Sequence, residues 1–159
     1  MPIFEFNYRA QTDTKKSVPP MAVLRKMGPL IAVTIALPQN LVEVLQSRGT
    51  PIPTPESGYA LIDTGAGFTA VDESICRKLG LPQTGTAQMA HAGGVEQRPC
   101  FPVQITFPGA PLPPLQIVRA ASVNLVAGKQ PIIALLGREV LSRLRFVYNG
   151  PAGRIEIAY

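Results

Sequence analysis

The sequence predicts an all-β fold with short helices, and three observations predict it. Seventeen prolines and fourteen glycines cut 159 residues into short pieces, which leaves long helices little room. The apolar runs between these breaks are rich in β-branched residues, which fit a pleated surface. Several segments alternate apolar with polar residues, the period of a half-buried strand.

Taken in order, Ile3-Phe4-Glu5-Phe6-Asn7-Tyr8 has that alternation, and residues 9–20 are polar enough to read as a mobile connector. Residues 30–37 (LIAVTIAL) predict a buried strand that Pro38 closes. Residues 41–45 (LVEVL) fit either a helical turn or a strand, and residues 49–55 form a proline-rich turn region. Tyr59-Ala60-Leu61-Ile62 is a short apolar strand that runs into Asp63-Thr64-Gly65-Ala66-Gly67, where glycines permit a sharp turn. Asp72 is placed to cap a helix reaching Leu79, with Glu73 in its first turn, Arg77 and Lys78 in its last, and Gly80 as terminator.

Residues 86–107 predict a long hairpin whose tip is Ala92-Gly93-Gly94. After a turn at 108–114, residues 115–125 read as one or two further strands. Ile132–Leu136 predicts a buried strand ended by Gly137, and residues 138–144 have helical spacing. Residues 146–148 and 155–159 predict a terminal hairpin about the turn 149–153.

The apolar share of 46% against 16% charged residues is that of a chain able to bury a core, and the length suits one domain. No apolar run approaches the roughly 20 residues that cross a bilayer, so no membrane partner is expected. An acid at Glu5 stands where a signal peptide would be basic and then apolar, and a cytoplasmic location is the expectation. The net charge of +5 comes from scattered basic residues and short pairs, Lys15-Lys16 and Arg25-Lys26. Without a basic stripe interleaved with aromatics, no nucleic-acid partner is expected.

Cys76 and Cys100 are too few for a disulfide framework and have no supporting ligands for structural zinc. No metal or other cofactor is expected. His91, the only histidine, gives neither a Cys-His dyad nor a Ser-His-Asp assembly any motif support.

An apolar strand ending in Asp63-Thr64-Gly65-Ala66, followed much later by Leu135-Leu136-Gly137-Arg138, resembles the motif pair of the retroviral-type (retropepsin-like) aspartic proteases. The resemblance covers residues 30–159, taken as the protease domain, with residues 1–29 as an extension of strand plus connector. It implies a closed barrel-like fold. It also implies a glycine-rich flap at Ala92, Gly93 and Gly94, a homodimer, and an extended peptide or protein as substrate.

The chemistry explains the residue types. Peptide hydrolysis by this route needs one carboxylate to take a proton from water and a second, protonated carboxyl to donate to the scissile carbonyl. Two such groups about 3 Å apart cannot both ionise cheaply, so they share one proton. The chain has a single Asp-Thr-Gly, and the second aspartate must come from another copy across a twofold axis. Asp63 is therefore the candidate catalytic residue.

The resemblance gives Thr64 a hydrogen bond across the axis and Gly65 a close backbone approach to the carboxylates. Ala66 completes the loop; Leu135, Leu136 and Gly137 pack beneath it, and Arg138 braces the dimer. The terminal strand, residues 155–159, is expected in an intersubunit sheet. Two positions depart from the family pattern: Gly67 replaces a polar residue, and Glu139 follows Arg138 where a shorter polar side chain is common. The alternative from another class is a non-catalytic dimeric scaffold that binds peptides.

Overall fold

The computed structural model describes residues 3–8, 11–13, 16–91, 94–125 and 132–159. Strand β1 (Ile3–Asn7) opens the chain, and the pair β2 (Gln11–Asp13) and β3 (Lys16–Val18) follows. The predicted connector thus contains strand pairing. It then enters helix α1 (Pro20–Met27), which the sequence reading missed. Pro20 sits in the first turn, where a missing N–H costs nothing. Val23 and Leu24 are buried on one face, and Gly28 ends the helix at φ 76°.

Strand β4 (Leu30–Ala36) buries Ile31, Val33 and Ile35 and leaves the alternate residues half-buried. The open segment at 41–45 is a helix, α2 (Gln39–Ser47), begun just after Pro38. Then come β5 (Glu56–Ile62), β6 (Ala70–Asp72) and helix α3 (Glu73–Lys78). Asp72 caps α3 as expected, its Oδ1 accepting from Ser74 N at 2.9 Å.

The predicted hairpin is β7 (Gly85–His91) with β8 (Gly94–Thr106), and β9 (Leu115–Val123) is one strand rather than two. The chain closes with β10 (Ile132–Leu136), helix α4 (Arg138–Leu141), β11 (Arg145–Asn149) and β12 (Arg154–Ala158). Among the described residues, no helix is long and apolar enough to cross a membrane.

Among the described residues, seven strands form the main sheet in the order β4-β5-β10-β6-β9-β8-β7, and β4 also pairs with β8. That last pairing, at Thr34, Ile35 and Ala36 with Thr106, Ile105 and Gln104, turns six of the strands back on themselves. The closure is barrel-like without being a strict barrel, since β10 meets β6 over only two residue pairs. Its interior holds the main core, including Ile31, Ile35, Val71, Val103, Ile105 and Leu136. Each such side chain contributes about 1.5–3 kcal/mol on burial.

A second apolar cluster has Ala70, Cys100 and Ala121 at its centre, with Phe68, Ala87, Met89, Val123 and Leu135 partly buried around them. Strand alternation separates the two: Val71 belongs to the core and its neighbour Ala70 to the smaller cluster.

The terminal sheet has the order β1-β12-β11. The expected terminal hairpin is present, but β12 is the middle strand, paired along its length with both neighbours. Both edges of β12 are thus taken within the subunit, one of them by residues near the start of the chain. Tyr8 fastens them, its N–H donating to Gly153 O at 3.1 Å, while its hydroxyl accepts from Leu30 N at 2.6 Å and donates to Gly28 O at 3.0 Å.

Candidate active site

Two strands that run parallel end side by side, and that places Asp63. In the β5–β10 pair, Leu61 is opposite Leu135 and Ile62 opposite Leu136, so Asp63 leaves one strand end where Gly137 leaves the other. Asp63 N extends the ladder by one bond, donating to Leu136 O at 3.0 Å. The following residues turn back on the carboxylate: Gly65 N and Ala66 N donate to Asp63 Oδ1 at 2.8 and 3.2 Å. Both bonds fall on Oδ1, and among the described residues none falls on Oδ2. Asp63 is half-buried, and Thr64, Gly65 and Gly67 are exposed.

Arg138 holds the loop from the far side. Its backbone N donates to Ala66 O at 3.0 Å, and its Nη1 donates to Thr64 O at 3.0 Å and Gly65 O at 2.9 Å. The guanidinium thus takes up carbonyls that the tight turn leaves unpaired. The motif glycines serve by clearance. Gly65 is not among the glycines with positive φ; a Cβ there would lie 3.1 Å from Asp63 Oδ1. At Gly137 a Cβ would lie 2.4 Å from Phe68 C and 2.6 Å from its O, a separation no side chain tolerates.

The sequence-predicted residues Asp63, Thr64, Gly65, Ala66, Leu135, Leu136, Gly137 and Arg138 are brought together in this way. Leu136 and Gly137 are buried and Leu135 half-buried. Of the predicted flap, Gly94 begins β8 opposite His91, at the turn end of the hairpin, with φ 124°. Ala92 and Gly93 lie outside the described residues. Two contributors were missed as such. Thr69 is fully buried; its Oγ1 accepts from Gly137 N at 3.4 Å, and its own N donates to Glu139 Oε1 at 2.5 Å. Glu139 thereby reaches back to the residues after the loop, and among the described residues its buried Oε2 has no hydrogen-bond partner.

Glu139's extra length over a shorter polar residue was visible in the sequence. Its partner was not, because the contact joins positions 69 and 139.

The remaining chemistry-bearing residues do other things. Asp72 is a buried structural acid whose Oδ2 also accepts from Leu125 N at 2.9 Å. Cys76 is buried, and that burial pushes its thiol up to about 11, against the smaller opposing effect of a hydrogen bond with Ser122. A thiol held so far above neutral pH is a poor nucleophile. Among the described residues, no three His, Cys, Asp or Glu side chains converge as metal ligands.

The smaller apolar cluster lies along the same strands as the Asp63 loop. Phe68 and Ala70 follow the loop directly, and Leu135 pairs with both Leu61 and Ala70. The arrangement offers a pinned carboxylate with one free oxygen beside a half-buried apolar surface.

No family model matches the sequence, and no curated protein does. Among solved structures, the chain is similar to the crystal structure of a retropepsin-like aspartic protease from Rickettsia conorii, at 13% identity and a TM-score of 0.46. That alignment covers 99% of this chain and 95% of the other. A likeness at this level lends no residue of the present chain a role.

Proposed function

We propose that the chain is one subunit of a homodimeric aspartic endopeptidase in which Asp63 supplies one carboxyl of a shared pair. One observation carries the reading: Asp63 Oδ1 is held by Gly65 N and Ala66 N on a loop fastened by Leu136 and Arg138. Such fixing holds the carboxylate in one orientation, as an acid–base group needs. The loop's outer residues Thr64 and Gly65 are exposed, which leaves room for a second copy to bring its own carboxyl alongside.

In the paired site, the ionised carboxyl takes a proton from water as the water oxygen attacks the scissile carbonyl carbon. The protonated carboxyl gives its proton to the carbonyl oxygen. Collapse of the tetrahedral diol breaks the C–N bond, and the amine leaves with a proton. Thr64 and Arg138 hold the two loops together across the axis, and the hairpin tip with Gly94 covers the substrate. The apolar surface of Phe68, Met89, Val123 and Leu135 receives side chains of an extended peptide.

The test is Asp63→Asn, which keeps an oxygen for Gly65 N and Ala66 N while removing the acid. We expect cleavage of a peptide library to fall by at least about 10³-fold, with unchanged mass in solution. Turnover equal to wild type in the purified variant would end the proposal. Peptide affinity without turnover in the wild-type protein would favour a binding scaffold instead.

A further inference from the structure

The hairpin of β7 and β8 has two faces, and its register assigns each residue to one of them. Cys100, Ala87 and Met89 belong to the smaller apolar cluster that continues from the Asp63 loop through Phe68, Ala70 and Leu135. Directly opposed residues of a pair of strands share a face. Arg98 is opposite Ala87, and Glu96 is opposite Met89. The face that carries the cluster therefore runs along β8 from the buried Cys100 to an arginine and then to a glutamate.

The two charges are not equivalent. Arg98 lies two residues from Cys100 with its side chain 31% exposed, whereas Glu96 lies nearer the tip and is 46% exposed. Arg98 Nη2 donates to Glu96 Oε2 at 2.8 Å. That contact uses one of the five donors of a guanidinium, and among the described residues no second acceptor meets it. An arginine cannot shed its charge, and beside Ala87 and the cluster it is hydrated from one side only. A carboxylate set against the open part of the fork makes a charge-assisted bond, about twice as strong as a neutral one.

We infer that Arg98 determines specificity, and that the preferred substrate is a peptide with an aspartate or glutamate close to the apolar side chain seated on the cluster. This rests on the reading of the Asp63 site as a peptidase and names its substrate class. In an extended peptide, side chains two residues apart point the same way and lie roughly 6.5–7 Å apart. One chain can thus place an apolar residue on the cluster and an acid on Arg98. Glu96 is the internal acid that the substrate carboxylate competes with. A lysine at the same place meets Arg98 with like charge and is rejected.

The test uses peptides that differ only in carrying Glu, Gln or Lys at one position, taken from three residues before the cleaved bond to three after it. At one of these positions we expect wild type to favour Glu over Gln by about tenfold in kcat/KM. Arg98→Gln should bring that ratio close to one, Arg98→Glu should turn the preference to Lys, and Glu96→Gln should raise the ratio for Glu. Each ratio is taken within one protein, so a general loss of activity in a variant cancels. The same peptides are titrated by fluorescence polarisation into Asp63→Asn, with and without Arg98→Gln, to read affinity apart from cleavage.

Hydrolysis at equal rates for Glu and Gln at every position overturns the inference and leaves the Asp63 reading intact. A preference for Glu that survives Arg98→Gln overturns it as well. Binding of the Glu peptide that Arg98→Gln weakens, without cleavage by the wild type, supports the role of Arg98 and defeats the peptidase reading. Neither binding nor cleavage of any peptide defeats both.

Discussion

Asp63 owes its position to residues far along the chain. Leu136 O receives its backbone N–H, and Arg138 pins the carbonyls of the two residues after it. Gly137 is the hinge of this arrangement, because the Phe68 carbonyl occupies the space a side chain would need. Gly137→Ala must therefore push two backbone segments apart. We expect it to cost about 1–3 kcal/mol, read as a lower midpoint in chemical denaturation, and to reduce hydrolysis further than stability alone explains. The Asp-Thr-Gly and Leu-Leu-Gly-Arg segments were legible because each is local. The Thr69–Glu139 bond was not, because the contact joins two distant positions that no local motif connects.

Elements whose signals are internal were read correctly. Strand β4 alternates buried and half-buried residues between Gly28 and Pro38, and α3 has acid, base and cap in the expected turns. Helices α1 and α2 were missed or left open because prolines stand at their starts, Pro19-Pro20 in one and Pro38 in the other. Proline breaks a helix interior yet suits a first turn, and the same residue gives both signals. Helix α3 supplies the test at this scale. Asp72 accepts from Ser74 N at its start and from Leu125 N beyond β9, so Asp72→Ala loses a cap and strands a half-buried donor. Together these should cost about 2–4 kcal/mol, whereas Asp72→Asn, which retains an acceptor, should cost less in the same denaturant titration.

At the scale of the molecule, the all-β architecture followed from composition, while its closure through β4 and β8 and the central place of β12 did not. Both depend on pairings between distant strands, about which local periodicity is silent. If two copies build one site, hydrolysis per mole of subunit should rise with protein concentration and level off once the dimer dominates. Dilution of the wild-type protein in a fluorogenic peptide assay reads this directly, and a flat line would contradict it.

The pairing of Ile3 with Ala158 and Asn7 with Arg154 has a consequence for biosynthesis. About 150 residues separate the partners, which at 5–20 residues per second is roughly 8–30 s of translation. During that interval Phe4 and Phe6 of β1 have no β12 to pair beside. A nascent chain therefore holds the apolar face of β1 uncovered until β12 has been made.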